Sequence, residues 1–302
     1  MKRKLVKQGR NALTITLPSK WLSQQNLKAG DELNIDEQEN SILISGSGIP
    51  EITKKSVDVT GKDPMIKRIL GAVYKAGYDE VEVQFETPNE LETIQEVIRE
   101  EFIGFETVSH GKSNLVFKKV STIDPSEYNT MIRRMFLIIK SMGDDCIEAI
   151  KNKDKNLFRI IVLRDKDINK IADFCRRCLN KFTESIEGRT PPNYFIAEQL
   201  EKVGDIYRDI CKLLAESNIE ISDEILVLFR DAHNFFDQFY NLYFNFDFEK
   251  MAEFGKKRYE LLDKSKNLLQ SSSKKDFEML FYIKSIIEQT FDMNGPLMAA
   301  RL

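Results

Sequence analysis

Lys4-Leu5-Val6-Lys7-Gln8-Gly9-Arg10-Asn11-Ala12-Leu13-Thr14-Ile15-Thr16-Leu17-Pro18-Ser19-Lys20-Trp21-Leu22 opens the chain with a local program that can be read residue by residue. Arg3 to Gln8 reads as a strand and Gly9-Arg10-Asn11 as a turn. Ala12 to Leu17 alternates in the two-residue period of a second strand. Pro18 presets the first turn of a short helix through Leu22. Lys28-Ala29-Gly30-Asp31 is a turn, and Glu32 to Glu37 and Ser41 to Ser45 are two further strands around Glu39-Asn40. Four such strands bury little by themselves. Units of this size fold with the help of a disulfide, a metal or a partner. Cysteine is absent from the stretch, so a partner chain is expected. Residues 1–21 hold Lys2, Arg3, Lys4, Lys7, Arg10 and Lys20 and no acid. A short basic segment on a chain of net charge -3 points to a local polyanion contact.

Moving outward, Gly46-Ser47-Gly48-Ile49-Pro50 reads as a linker. Residues 51 to about 122 mix both periods: strands over Ile52–Thr60 and Glu80–Phe85, helices over Asp63–Ala76 and Pro88–Phe102, and a hairpin of Phe105–His110 with Asn114–Val120. Asp63 is the expected cap of the first of these helices, and the order is βαβαββ. From Asp124 the spacing becomes helical. Six helices are predicted near 126–152, 157–184, 192–217, 222–245, 247–271 and 274–293, with Gly295-Pro296 as the final stop. Helices one and four start about 96 residues apart, so the array reads as two three-helix units. The expected fold class is multidomain α+β, with domains at 1–47, 48–122 and 123–302. Among the 302 residues, 42% are apolar and 31% charged, enough for packed cores and a solvated surface. No apolar run reaches the 18 or so residues of a membrane helix, and Met1-Lys2-Arg3-Lys4-Leu5 is not followed by a secretory h-region. Cys146, Cys175, Cys178 and Cys211 do not form a disulfide framework. A reducing cytoplasm and no membrane insertion are the expectations.

The quoted stretch, with Leu27-Lys28-Ala29-Gly30-Asp31-Glu32-Leu33, resembles the AbrB/MazE/SpoVT family of swapped-hairpin DNA-binding domains over residues 3 to about 45. The shared features are a basic strand, a Gly turn, a β run ending at Leu17-Pro18, a short helix and the Gly30-Asp31 turn. Thr16-Leu17-Pro18 stands where Ile-Pro is common, and Trp21 takes a helix position. The resemblance implies an intertwined homodimer that presents basic side chains to DNA, with Lys4, Lys7, Arg10 and Lys20 as candidates by position. Lysine and arginine release counterions when they neutralise phosphates, and guanidinium also reads base edges. The competing reading is a dimerisation domain whose lysines solvate an edge strand.

A second constellation is Leu200-Glu201-Lys202-Val203-Gly204-Asp205 on the third helix and Ile287-Glu288-Gln289-Thr290-Phe291-Asp292 on the sixth. Both read Glu-x-x-x-Asp, and acids at i and i+4 share one helix face, where like charges repel. By itself the pattern is cheap: Glu32 with Asp36, and Glu92, Glu96 and Glu100, also fit. Its place on the third helix of each unit raises it. Residues 124–302 here resemble the PhoU phosphate-uptake regulator family, two three-helix bundles with such a motif on the third helix of each. The resemblance implies Glu201, Asp205, Glu288 and Asp292 as ligands of a divalent or ferric ion, since oxygen ligands suit such metals. Phe291 departs from the pattern beside Asp292. Asp167 and Asp263 are weaker candidates, and a solvated acidic face is the alternative.

Cys175-Arg176-Arg177-Cys178 lies in mid-helix with no second CxxC, so packing is expected rather than zinc or redox chemistry. His110 and His233 are the two histidines, and no Glu-x-x-His supports a di-iron bundle. No Walker A, GxGxxG or GxSxG sequence is present, and an enzyme is not expected. Phe229, Phe235, Phe236, Phe239, Tyr240, Tyr243, Phe244, Phe246 and Phe248 crowd the fourth helix and its exit, as core or as a docking surface. The expected function is a DNA-binding regulator of phosphate homeostasis whose helical part answers phosphate status through metal or a partner such as a phosphate ABC transporter. Two rivals stand beside it: a non-DNA inhibitor of such a transporter, and a general AbrB-type regulator or antitoxin.

Overall fold

The computed structural model describes residues 2–9, 12–24, 26–38, 41–46, 52–121, 124–182, 190–216, 221–271 and 276–302. The chain forms two compact units, Met1–Thr53 and Lys54–Leu302.

In the first unit β1 (Val6–Gln8) pairs antiparallel with β2 (Ala12–Thr14), Lys7 opposite Leu13. Gly9, at φ +71°, supplies the left-handed step that follows β1. Both strands are shorter than their alternating sequence. The paired register ends at Val6 with Thr14, and an extended segment counts as strand only where a neighbour bonds it. α1 (Ser19–Gln24) follows Pro18, whose carbonyl accepts from Leu22 N at 3.0 Å. The Lys28-to-Asp31 turn is closed by Lys28 N donating to the Asp31 carboxylate at 2.6 Å, with Gly30 at φ +101°. β3 (Leu33–Gln38) and β4 (Ser41–Gly46) form a second antiparallel pair. No side chain described in this unit is buried. Leu5, Val6, Leu13, Ile15, Ile35 and Ile42 are all exposed. The linker residues 47–50 lie outside the described residues.

The second unit begins with a four-stranded sheet in the order β5-β6-β8-β7. β5 (Lys54–Asp58) runs parallel to β6 (Glu80–Gln84), while β8 (Asn114–Lys119) is antiparallel to β6 and to β7 (Phe105–His110). With α2 (Ile66–Lys75) and α3 (Pro88–Glu101) this is the expected βαβαββ order. Val81 and Val83 of β6 are buried while Glu80 and Glu82 are not, the alternation of a sheet covered on one face. α3 starts on a capping box between Thr87 and Glu90. The Glu90 carboxylate also accepts from Gly61 N at 2.6 Å and Glu86 N at 2.8 Å, which pins the turn after β5 to this helix. Asp63 does not cap α2: the N-cap position is Met65, three residues before which Lys62 N is already bonded to Val59 O in a turn.

The rest is helical: α4 (Glu127–Asn152), α5 (Lys155–Leu163), α6 (Asp165–Lys181), α7 (Thr190–Glu216), α8 (Asp223–Phe244), α9 (Phe248–Ser271), α10 (Asp276–Asp292) and α11 (Asn294–Arg301). Two expectations are corrected. The single helix over 157–184 is two, broken at Arg164. No Gly or Pro marks the break; instead Asp165 and Asp167 supply the acids that favour a new first turn. Gly295-Pro296 does not end the chain's helices but lies in the first turn of α11, where a missing amide proton costs nothing. Ser222 caps α8 as its sequence implies, accepting from Ile225 N at 3.3 Å.

One continuous apolar cluster joins the two sets of helices. Met135, Ile139 and Met142 of α4 meet Phe229, Phe235, Phe236 and Phe239 of α8 in it, and Phe235 stacks on Phe254 of α9 at 4.0 Å. The aromatic crowd of α8 is thus chiefly core; Phe248 alone among those nine residues is exposed. All four cysteines are free and buried. The α/β segment has its own apolar cluster and meets α6 through polar contacts. Arg177 donates to Tyr74 O at 2.8 Å and to Asp79 at 3.1 Å, and Asn180 donates to Lys75 O at 2.8 Å. Lys181 also pairs with Asp79.

Candidate functional site

Lys4, Lys7 and Lys20 are exposed and carry no ion pair among the described residues. Lys7 lies in β1, Lys4 just ahead of it and Lys20 in α1. Arg10 lies outside the described residues. Asp31 of the Gly-Asp pair is spent on its own turn.

The acidic motif of α7 is built differently from its sequence. Glu201 and Asp205 share a helix face, but a different arginine holds each. On α6, Arg176 points into the seam with α7 and is almost fully buried. It donates to Asp173 at 2.6 Å and pairs with Glu198 and Glu201. One turn further along, Arg208 donates to Asp165 at 3.1 Å and Asp209 at 2.9 Å and pairs with Asp205. Each guanidinium therefore sits among three carboxylates. Burial works against the charge on Arg176, and Glu201, Asp173 and Glu198 outweigh it, so its pKa rises. The acids answer in the same environment. Burial pushes Glu201 up against the pull of Arg176, and it pushes Asp205 up against Arg208, with Asp165 adding repulsion. Asp173 also accepts from Lys75 of α2 at 3.2 Å, so the cluster continues into the α/β segment.

These residues do not present an open cation position. The positive charge is already supplied, and no group of three or more His, Cys, Asp or Glu side chains suited to a metal occurs among the described residues. Glu288 pairs with Lys284 at 3.5 Å on α10, while Asp292, Asp167 and Asp263 are exposed and join neither cluster. The first motif and the second are not brought together.

Gly204, just before Asp205, has a packing reason. A Cβ there would lie 2.7 Å from Ile168 Cδ1, so the small residue lets α7 approach α6. Sequence reading named His233 without giving it a contact. It is buried, its Nδ1 2.8 Å from Tyr207 Oη and its Nε2 3.2 Å from Asp144. Burial holds its pKa below the ordinary value despite Asp237 and Asp144. Its ring lies against Gly143, where a Cβ would come within 2.2 Å.

No helix among the described residues is long and apolar enough to cross a membrane. Comparison with known proteins gives two regions of likeness. Residues 132–214 match the PhoU domain, and residues 6–55 match "Antidote-toxin recognition MazE, bacterial antitoxin". No curated protein matches the sequence significantly. Among solved structures, the phosphate transport system regulatory protein PhoU from Streptococcus pneumoniae is similar at 13% identity and a TM-score of 0.47, over 59% of this chain and 94% of that one. Both family matches are partial: the MazE-type likeness lies mainly in the first unit and the PhoU likeness lies in the helical part of the second.

Proposed function

We propose that this chain is a phosphate-related regulator that binds operator DNA as a homodimer through residues 2–46 and answers phosphate status through its helical part. The observation that carries the reading is the state of the first unit. Its two hairpins bury none of their described side chains and leave six aliphatic residues in solvent. A second copy is the simplest cover for such hairpins, which are marginal alone. A dimer also doubles the unpaired lysines into a surface able to neutralise several phosphates. The PhoU match of residues 132–214 supports the phosphate connection. Coupling follows from linkage: a ligand or partner that prefers one arrangement of the helical part changes operator affinity only by its differential affinity for that arrangement. No metal enters this reading.

The test is a titration of the full chain against fragments upstream of its own operon and of phosphate-transporter genes, at several salt concentrations. Saturable binding that exceeds bulk DNA, lost in an Arg10→Ala, Lys20→Ala double variant, is the expected result. In the single variants, which keep residual binding, the log-log salt slope should fall by about 2, one phosphate contact per copy. Equal, salt-erased binding to every fragment overturns DNA reading and leaves inhibition of a transporter as the function to pursue.

A further inference from the structure

A cavity of about 340 Å³ opens where α4, α7, α8 and α11 meet. Arg133 and Asn129 of α4, Asn193 of α7, Tyr128 with Tyr243, and Arg301 of α11 line it, and no carboxylate among the described residues does. That composition is unusual within this chain. Arg164, Arg176, Arg177 and Arg208 each hold a carboxylate. Arg133 and Arg301 are instead held by neutral groups. Arg133 donates to Tyr240 Oη at 3.1 Å and lies 3.8 Å over the Phe244 ring. Arg301 donates to Tyr243 O at 3.0 Å.

These contacts orient the two exposed arginines, and no carboxylate among the described residues pairs with either. A guanidinium has five N–H donors, so each keeps most of its donors free. The buried wall supplies more. Asn193 is 5% exposed, and its side chain has no protein hydrogen bond among the described residues. Asn193 lines the cavity, and its amide can donate to whatever occupies it. Tyr128 Oη and Tyr243 Oη are 3.3 Å apart, both buried. Whichever hydroxyl accepts in that pair keeps its own proton for a third group. Cations, an amide and a spare hydroxyl proton share one polarity: all can donate, and the fixed charges are positive.

We propose that this cavity binds a small tetrahedral oxyanion, either free phosphate or sulfate or the phosphoryl group of a small molecule. Planar guanidinium recognises such oxygens with paired hydrogen bonds. The site stands on its own geometry and does not depend on residues 2–46 contacting DNA.

The test is calorimetric titration of the full chain with inorganic phosphate, with sulfate and with glycerol phosphate, at fixed ionic strength. Saturable one-to-one binding is expected, weakened roughly tenfold or more, about 1.4 kcal/mol, by Arg133→Gln and separately by Arg301→Gln. Arg133 is on the surface, so its glutamine variant should keep the parent's melting temperature. A preference for the monoester over both inorganic ions supports a phosphoryl group on a larger molecule, and a preference for inorganic phosphate supports the free ion. Absence of saturable binding with all three anions overturns the site. So does binding that both variants leave unchanged. Neither result bears on operator binding, which is read separately.

Discussion

Arg176 and Arg177 are adjacent in sequence and turn to different partners from α6. Arg176 neutralises the acids of α7, while Arg177 reaches Tyr74 and Asp79 of the α/β segment. Replacing Arg176 with Gln leaves Asp173, Glu198 and Glu201 without their central charge. The variant should lose roughly 3 kcal/mol of stability by urea denaturation, the scale for breaking a buried pair from one side. It should also gain a melting temperature that rises with added Mg²⁺ or Mn²⁺, because Glu198 and Glu201 then lack a counter-charge and suit a hard cation, while Asp173 keeps Lys75. Two acids set opposite pH trends. Glu90 is held down to about 2 by backbone N–H groups of Glu86, Gly61 and Thr87. Its stabilising contribution is present above the ordinary carboxylate value and fades as pH falls towards about 2. Glu90→Gln should therefore flatten the acid limb of a stability-against-pH curve. Glu201 is raised by burial, so its contribution is present below the ordinary value and is lost as pH rises through the folded one. The acidic motif was legible in the sequence because Glu201 and Asp205 stand four apart on a helix. Its occupant was not, because Arg176 lies inside Cys175-Arg176-Arg177-Cys178, where the sulfurs draw the eye. The usable signal was Asp173 with Arg176, an i, i+3 pair on the neighbouring helix.

At the scale of elements, periodicity located nearly every helix and strand of residues 54–302, since each buries one well-patterned face. It failed where the cause is not periodic. At the break, Arg164 also bonds Ser141 at 2.7 Å and Asp145 at 2.5 Å, contacts across 23 and 19 positions. α11 rests on its packing: Leu297 is fully buried in the helical core. Among the described helical glycines, Gly143 of α4 leaves the least room for a side chain, because His233 of α8 lies against it. Gly143→Ala would drive a Cβ into an imidazole fixed by Tyr207 and Asp144. We expect a loss of about 1–3 kcal/mol, the cost of overpacking, seen as a lowered melting temperature. Alanine is a better helix former than glycine, so a variant at least as stable as the parent would show that the ring can move aside.

Across the whole molecule, residues 54–121 and 124–302 have two apolar clusters, tied by ionic contacts at Asp79 and at Lys75 with Asp173. Asp79 is nearly buried and faces Arg177, Lys119 and Lys181. Asp79→Asn leaves those cations without a counter-charge. Hydrogen exchange should then show α2 and α6 losing protection together, and thermal unfolding should part into two transitions. A single unchanged transition would show that apolar contact alone unites the segments. This joint could not be seen in the sequence, where Asp79 and Arg177 lie 98 positions apart.

The uncovered aliphatic side chains of residues 2–46 carry a consequence for quantity. In the homodimer proposed above, the abundance of the finished unit would follow the square of chain concentration while the chain is dilute. Doubling the protein then yields nearly four times as many readers, and halving it removes about three quarters of them. On that proposal the cell's supply of the chain would be an input to its own output, one that acts before any signal reaches the helices.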